Sequence, residues 1–90
     1  VIGHAAFASK EHVLQAVAAA KKALPGWAQT SVAERAGLLR KIAAALRGRR
    51  FEISAVIVRE TGKPWREADG DVCEAIDFCE FYALQAETLF

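Results

Sequence analysis

The chain has 90 residues, 53% hydrophobic and 26% charged, with a net charge of +1. That is the composition of a globular chain, and it gives no electrostatic footprint for nucleic acid or a membrane surface, so neither partner is expected. Its length is that of one domain or a piece of one, and so short a chain buries only about 60 to 65% of the surface its unfolded form exposes.

No apolar run approaches the roughly 20 residues of a membrane span. The N-terminal VIGHAAFASK lacks the basic start and long apolar stretch of a secretory signal, so the expected compartment is the cytoplasm. These first ten residues read as the end of an extended segment, with Ser9 placed to cap a helix. That helix begins near Lys10. Val13, Leu14, Val17, Lys21 and Leu24 recur along it at helical spacing, and the lysine stem can lie along the stripe. Pro25 and Gly26 are expected to stop it, with Trp27 starting the connection.

In SVAERAGLLRKIAAALRGRR, Ser31 and Glu34 have the spacing of a capping box, in which each side chain satisfies an orphan amide of the first turn. The stripe predicted to be buried is Leu38, Leu39, Ile42, Ala45 and Leu46, and Gly48 marks the end. The basic residues from Arg40 to Arg50 read as a solvated face at a helix C-terminus, which the helix dipole favours, rather than as a phosphate-binding patch. FEISAVIV is ambiguous: its β-branched residues favour a strand by propensity, while its flanks favour a short helix, which is the expectation taken. Gly62 supplies the left-handed position after such a helix, and Pro64 has no amide with which to continue it.

A last helix is predicted from near Trp65 to Phe90, roughly 39 Å long at 1.5 Å per residue. Ala68, Val72, Ala75, Ile76, Cys79, Ala83, Ala86 and Phe90 form an apolar stripe on it, while Gly70, Glu74, Asp77, Phe78 and Phe81 fall on roughly the opposite side. Two phenylalanines on that second face suggest a helix covered on both sides by a larger protein. Cys73 and Cys79, six apart at about 100° per residue, point in different directions and read as reduced, partly buried structural thiols. With His4 and His12 they supply no metal-ligand spacing, and no metal is expected. There is no internal repeat of the kind that builds a helical solenoid. From the residues alone, the chain is all-α with about four helices, the last one long.

The run ERAGLLRKIAAALRGRRFEISAVIVRETGKPWREADGDVCEAIDF resembles the N-terminal helical part of the aldehyde dehydrogenase superfamily, and the likeness covers nearly the whole chain. ETGKP, at Glu60 to Pro64, is the generic superfamily signal, and FYA, at Phe81 to Ala83, resembles the aromatic pair and alanine that end the long helix there. GKPWREADGDVCEAIDF, from Gly62 to Phe78, is more selective. It is similar to the branch that oxidises L-glutamate γ-semialdehyde in proline catabolism, the 1-pyrroline-5-carboxylate dehydrogenases, with Cys73 standing where that branch more usually has alanine.

The resemblance implies a helical part of an α/β fold: a single segment, residues 1–90, belonging to the coenzyme-binding domain and not a complete domain. It implies NAD-dependent oxidation by a cysteine thiolate, followed by hydrolysis of a thioester, in a complete enzyme expected to be a homo-oligomer. The nucleophile, the general base and the nucleotide-binding strands of the family lie in other segments, so no catalytic residue is expected here. Nor is a cofactor, since no glycine-rich turn joins a strand to a helix. The expected partners are the rest of the dehydrogenase chain and a small aldehyde. Two alternatives stay open: the same segment of an aldehyde dehydrogenase with another substrate, or a stand-alone helical interaction module using Phe78 and Phe81.

Glu60 and Lys63 read as a surface pair, and Asp69, Asp71, Asp77 and Glu80 as solvated. Glu74 is the single candidate site residue. In the family this helix borders the passage by which aldehyde reaches the cysteine, so Glu74 is either a helix-surface glutamate paired with a neighbouring cation or a substrate-binding carboxylate that recognises an α-ammonium group.

Overall fold

The computed structural model describes residues 2–90. Val1, at the start of the expected extended segment, lies outside the described residues. Four helices follow one another: α1 (Lys10–Gln29), α2 (Val32–Gly48), α3 (Arg50–Thr61) and α4 (Trp65–Leu89), with no strand among the described residues. The all-α expectation therefore holds, including the helical state of FEISAVIV and the long last helix. The chain divides into two compact units, Val1–Thr30 and Ser31–Phe90.

The first unit is α1 and the residues before it. Ile2 to Ser9 form no helix or strand. Ser9 caps α1 as its residue type suggests, its Oγ accepting from the His12 amide at 3.2 Å. The box is closed by His12, whose Nδ1 accepts from the Ser9 amide at 3.2 Å. A histidine can close this motif as glutamate does, because a neutral imidazole nitrogen is an acceptor. Against expectation, α1 does not stop at Pro25 but runs through it and past Trp27 to Gln29. Proline's fixed φ is itself helical, so within a helix it removes one hydrogen bond without forcing the chain out of the spiral. The end comes at Thr30, whose backbone turns extended and whose Oγ1 donates to the Gly26 carbonyl at 3.3 Å.

The second unit is built on one seam, where α4 lies against α2 and closes with α3. The capping box predicted at the start of α2 is present: the Glu34 amide donates to Ser31 Oγ at 3.2 Å, and the Ser31 amide to Glu34 Oε2 at 3.0 Å. The seam itself is made of small residues. Ala36, Ala43, Ala68 and Ala83 are fully buried, Val72 and Ile76 nearly so, and Leu46, Ile53, Ile57 and Cys79 pack against them. Alanine lets two helix backbones approach closely, and the burial of Val72 and Ile76 adds roughly 1.5 to 3 kcal/mol each.

Here the stripe predicted on α2 is corrected. Leu39 and Leu46 turn inward, but Leu38, Ile42 and Ala45 are exposed, and the buried positions are Ala36 and Ala43. Picking the largest apolar residues rotates the inferred face away from a contact that is close because its residues are small. The α4 stripe is right at Ala68, Val72, Ile76, Cys79, Ala83 and Ala86, whereas Ala75 and Phe90 are exposed.

Ion pairs fix the register. Arg40 grips Glu87 with two hydrogen bonds, of 2.7 and 2.5 Å, and Arg47 meets Glu80 at 3.4 Å. A seven-residue step forward along α2 is thus matched by a seven-residue step back along α4, so the helices are antiparallel. Arg50, at the start of α3, holds Asp69 of α4 with a second fork of 2.6 and 2.5 Å. Arg49 forks onto Glu52 at 2.9 and 2.7 Å. The basic run from Arg40 to Arg50 is therefore mostly paired rather than simply solvated, and so are Asp69 and Glu80.

Ser54, fully buried beside this contact, satisfies its hydroxyl by donating to the Arg50 carbonyl at 2.8 Å. Gly62, at φ 74°, ends α3 in the left-handed region as its residue type predicts. A side chain there would be strained. The thiols of Cys73 and Cys79 are free and half-buried, as expected.

Large apolar side chains remain exposed on both units, among them Leu14, Leu24, Phe51, Phe78, Phe81, Tyr82 and Leu89. In isolation the chain should show helical circular dichroism with a broad thermal transition, together with association or binding of an apolar dye. A sharp, monomeric two-state transition would contradict this.

The ion pairs add a pH dependence. Hydrogen bonds from Ser31 hold the Glu34 carboxyl below its ordinary 4.5. Those from Arg40 do the same for Glu87, and those from Arg50 hold Asp69 below 3.8. A carboxyl lowered on folding stabilises the fold above its unfolded value and stops doing so as pH falls through its folded one. Helical signal and melting temperature should therefore be level from about pH 7 to 5 and fall as the pH is taken below about 4, to be followed by circular dichroism.

Candidate functional site

The face of α4 turned away from the seam carries Glu74, Asp77, Phe78 and Phe81, at the i, i+3, i+4 and i+7 positions that share one side of a helix. Together they line an open hollow of about 360 Å³. The sequence placed these four residues on one face, and the structure brings them together there. Gly70, placed with them, does not line it.

Tyr82 braces the aromatic wall from behind. Its ring stacks on Phe78 at 5.9 Å between centroids and meets Phe81 edge-on at 5.3 Å. Such pairs hold both phenylalanines in fixed orientations. Asp77 was placed on this face and read as solvated, and Tyr82 is the contributor that sequence reasoning passed over. Its position four residues beyond Phe78 was the available signal.

Glu74 is exposed, and its carboxylate makes no hydrogen bond or ion pair among the described residues. The neighbouring cation is Lys63, in the turn between α3 and α4. Its Nζ donates to Asp71 Oδ2 at 2.6 Å. The pairing of Lys63 with Glu60 expected from sequence is thus replaced by one with Asp71, two turns along. Gly62 and Pro64 redirect the chain, and Lys63 follows α4 rather than α3. The Asp71 hydrogen bond and charge raise the Lys63 ammonium above its ordinary 10.5, against a small opposing effect of burial, and the charges of Glu67 and Glu74 add to the rise.

Two carboxylates beside two fixed aromatic faces can hold a cation, an ammonium group above all, through charge-assisted hydrogen bonds and ring electrostatics. The same group holds no machinery for bond-making. Cys79 packs into the core, and Cys73 is half-buried. The histidines, His4 and His12, belong to the first unit. Among the described residues no three His, Cys, Asp or Glu side chains form a metal-binding group, and no helix is long and apolar enough to cross a membrane. A second hollow, of about 380 Å³, lies among Ser9, Lys10, Glu11 and Leu14, where the Ser9 hydroxyl is already used by the cap.

A dinucleotide does not fit these residues. No described strand leads into a helix, and Gly62, the glycine with positive φ, joins two helices rather than opening a phosphate-binding turn.

The sequence profile of the aldehyde dehydrogenase family matches residues 1–90, and the chain belongs to that family. Among its relatives are the enzymes named 1-pyrroline-5-carboxylate dehydrogenase 2 of Bacillus subtilis (strain 168), 53% identical over 85 residues, and 1-pyrroline-5-carboxylate dehydrogenase of Bacillus pumilus, 51% identical over 85 residues. Each alignment covers 94% of this chain and 16% of the relative. The enzyme named 1-pyrroline-5-carboxylate dehydrogenase 2 of Halalkalibacterium halodurans is 48% identical over 89 residues, 99% of this chain and 17% of that protein. The chain thus spans about a sixth of the length of the curated relatives it matches. No solved structure matches it.

Because no strand among the described residues leads into a phosphate-binding turn, the 90 residues alone should give no NADH absorbance above the blank when incubated with NAD and an aldehyde. Measurable turnover would contradict the expectation that the catalytic residues of the family lie in other segments.

Proposed function

We propose that this chain is the N-terminal helical part of the coenzyme-binding domain of an aldehyde dehydrogenase that oxidises L-glutamate γ-semialdehyde, formed from 1-pyrroline-5-carboxylate, to L-glutamate in proline catabolism. The observation that carries this is the run of about half-identical relatives bearing that enzyme's name, aligned over nearly the whole chain. The complete enzyme takes NAD, held by residues outside this chain, and is a cytoplasmic homo-oligomer. The exposed aromatic face of α4 is covered by the rest of the same polypeptide, which turns the open hollow beside Phe78 and Phe81 into the wall of a passage.

Glu74 then acts as a substrate-binding residue. L-Glutamate γ-semialdehyde carries an α-ammonium group, and a carboxylate walled by aromatic rings and partly shielded from water attracts that group more strongly than one in open solvent. Support comes from the unpaired state of Glu74 and from its place in the hollow. Aldehydes that lack an amino group gain nothing from it.

In the complete enzyme, Glu74→Gln or Glu74→Ala should lower kcat/KM for L-glutamate γ-semialdehyde by roughly tenfold to a hundredfold and leave a simple aliphatic aldehyde nearly unaffected. Steady-state kinetics with both aldehydes checks it. Equal losses on both, or none on either, would remove Glu74 from recognition.

A further inference from the structure

A cation lies beside the candidate site, and it is held elsewhere. Lys63 sits in the turn of Gly62 to Pro64, and its Nζ is fixed on Asp71 at 2.6 Å. Glu67, Asp71 and Glu74 follow one another along the same side of α4 at the i, i+4 and i+7 spacing. At 1.5 Å per residue, Glu74 is roughly 4.5 Å further along the axis than Asp71, and a helical side chain leans back toward the N-terminus, the end from which Lys63 approaches. The charge of Glu74 already acts on Lys63. Yet the Glu74 carboxylate has no partner of its own among the described residues.

The Lys63 ammonium has the same chemistry as the group that Glu74 is proposed to recognise. Tethered within a side chain's length, it would be an internal competitor at an effective concentration in the millimolar range or above. We infer that Asp71 is a positioning residue, which holds Lys63 away from Glu74 and so keeps that carboxylate open to the ammonium group of an amino-aldehyde substrate. This rests on the reading of Glu74 as a substrate-binding residue. Asp71 touches no substrate and acts through Lys63. Both members of the pair are about 40% exposed, so the effect is modest and weakens as salt is added.

The test is made in the complete enzyme at low ionic strength, with L-glutamate γ-semialdehyde and a simple aliphatic aldehyde. Asp71→Asn should raise KM for the amino-aldehyde roughly threefold to fivefold, with kcat and the kinetics of the aliphatic aldehyde unchanged. The double variant Asp71→Asn/Lys63→Met should restore KM. That double variant also controls for folding, since it lacks the ion pair but carries no free ammonium. If Asp71→Asn leaves KM unchanged while Glu74→Gln raises it, the inference falls and the role of Glu74 stands. If the double variant is as impaired as the single one, or both aldehydes suffer alike, Asp71 is structural and the inference falls. If Glu74→Gln is silent, both readings fall together.

Discussion

The close approach of α2 and α4 is the constraint on which the second unit depends. Ala43 of α2 is fully buried in one cluster with Val72 and Ile76 of α4, and Ala36, Ala68 and Ala83 are fully buried as well. Packing of this kind is intolerant of rotation, because a turn of one residue can put Arg35 in the place of Ala36, or Tyr82 or Leu84 in that of Ala83. Arg40 with Glu87 and Arg47 with Glu80 sit along the edge of the same seam. As exposed pairs they contribute little to stability, but they select one antiparallel register from those that an alanine stripe would accept.

The candidate site inherits its precision from that seam. Val72 and Ile76 are locked into the core, so Glu74, between them in sequence, must point away from it. Asp77, Phe78 and Phe81 are placed by the same rigid rod, and Tyr82 holds the rings upright. A carboxylate on a well-packed helix is positioned more tightly than one on a loop. Lys63 is brought to Asp71, one turn before Glu74 on the same helix, by the left-handed turn at Gly62.

Local chemistry was legible in the sequence, and relations between distant residues much less so. Ser31 with Glu34, Gly62 and the start of α4 after Pro64 follow from rules confined to one turn of chain, and all of them hold. The helical state of FEISAVIV was readable from its flanks despite its β-branched residues, since Ile53 and Ile57 need only the i, i+4 spacing to meet the core. Pro25 misled because a breaker is also a residue with helical φ. The buried face of α2 misled because size was taken as the sign of burial where closeness demanded alanine. The partner of Lys63 was misassigned for a related reason: sequence proximity favoured Glu60, while the turn delivers the side chain to Asp71. The four lining residues of the hollow were placed on one face by periodicity alone, whereas the bracing by Tyr82 required coordinates.

The connections of the second unit bear on how its length can change over evolution. An insertion or deletion within α2 or α4 turns everything beyond it by about 100° per residue, which would take the alanines and the arginine ladder out of alignment together. Between α2 and α3 a single residue, Arg49, makes the joint and caps both helices. The turn from Gly62 to Pro64 is the remaining place where residues could be gained or lost, as loops ordinarily allow. Lengthening that turn, however, would lift Lys63 off Asp71. A turn that looks like a simple spacer between two helices is therefore held to its length by a lysine whose partner lies two turns into the next helix.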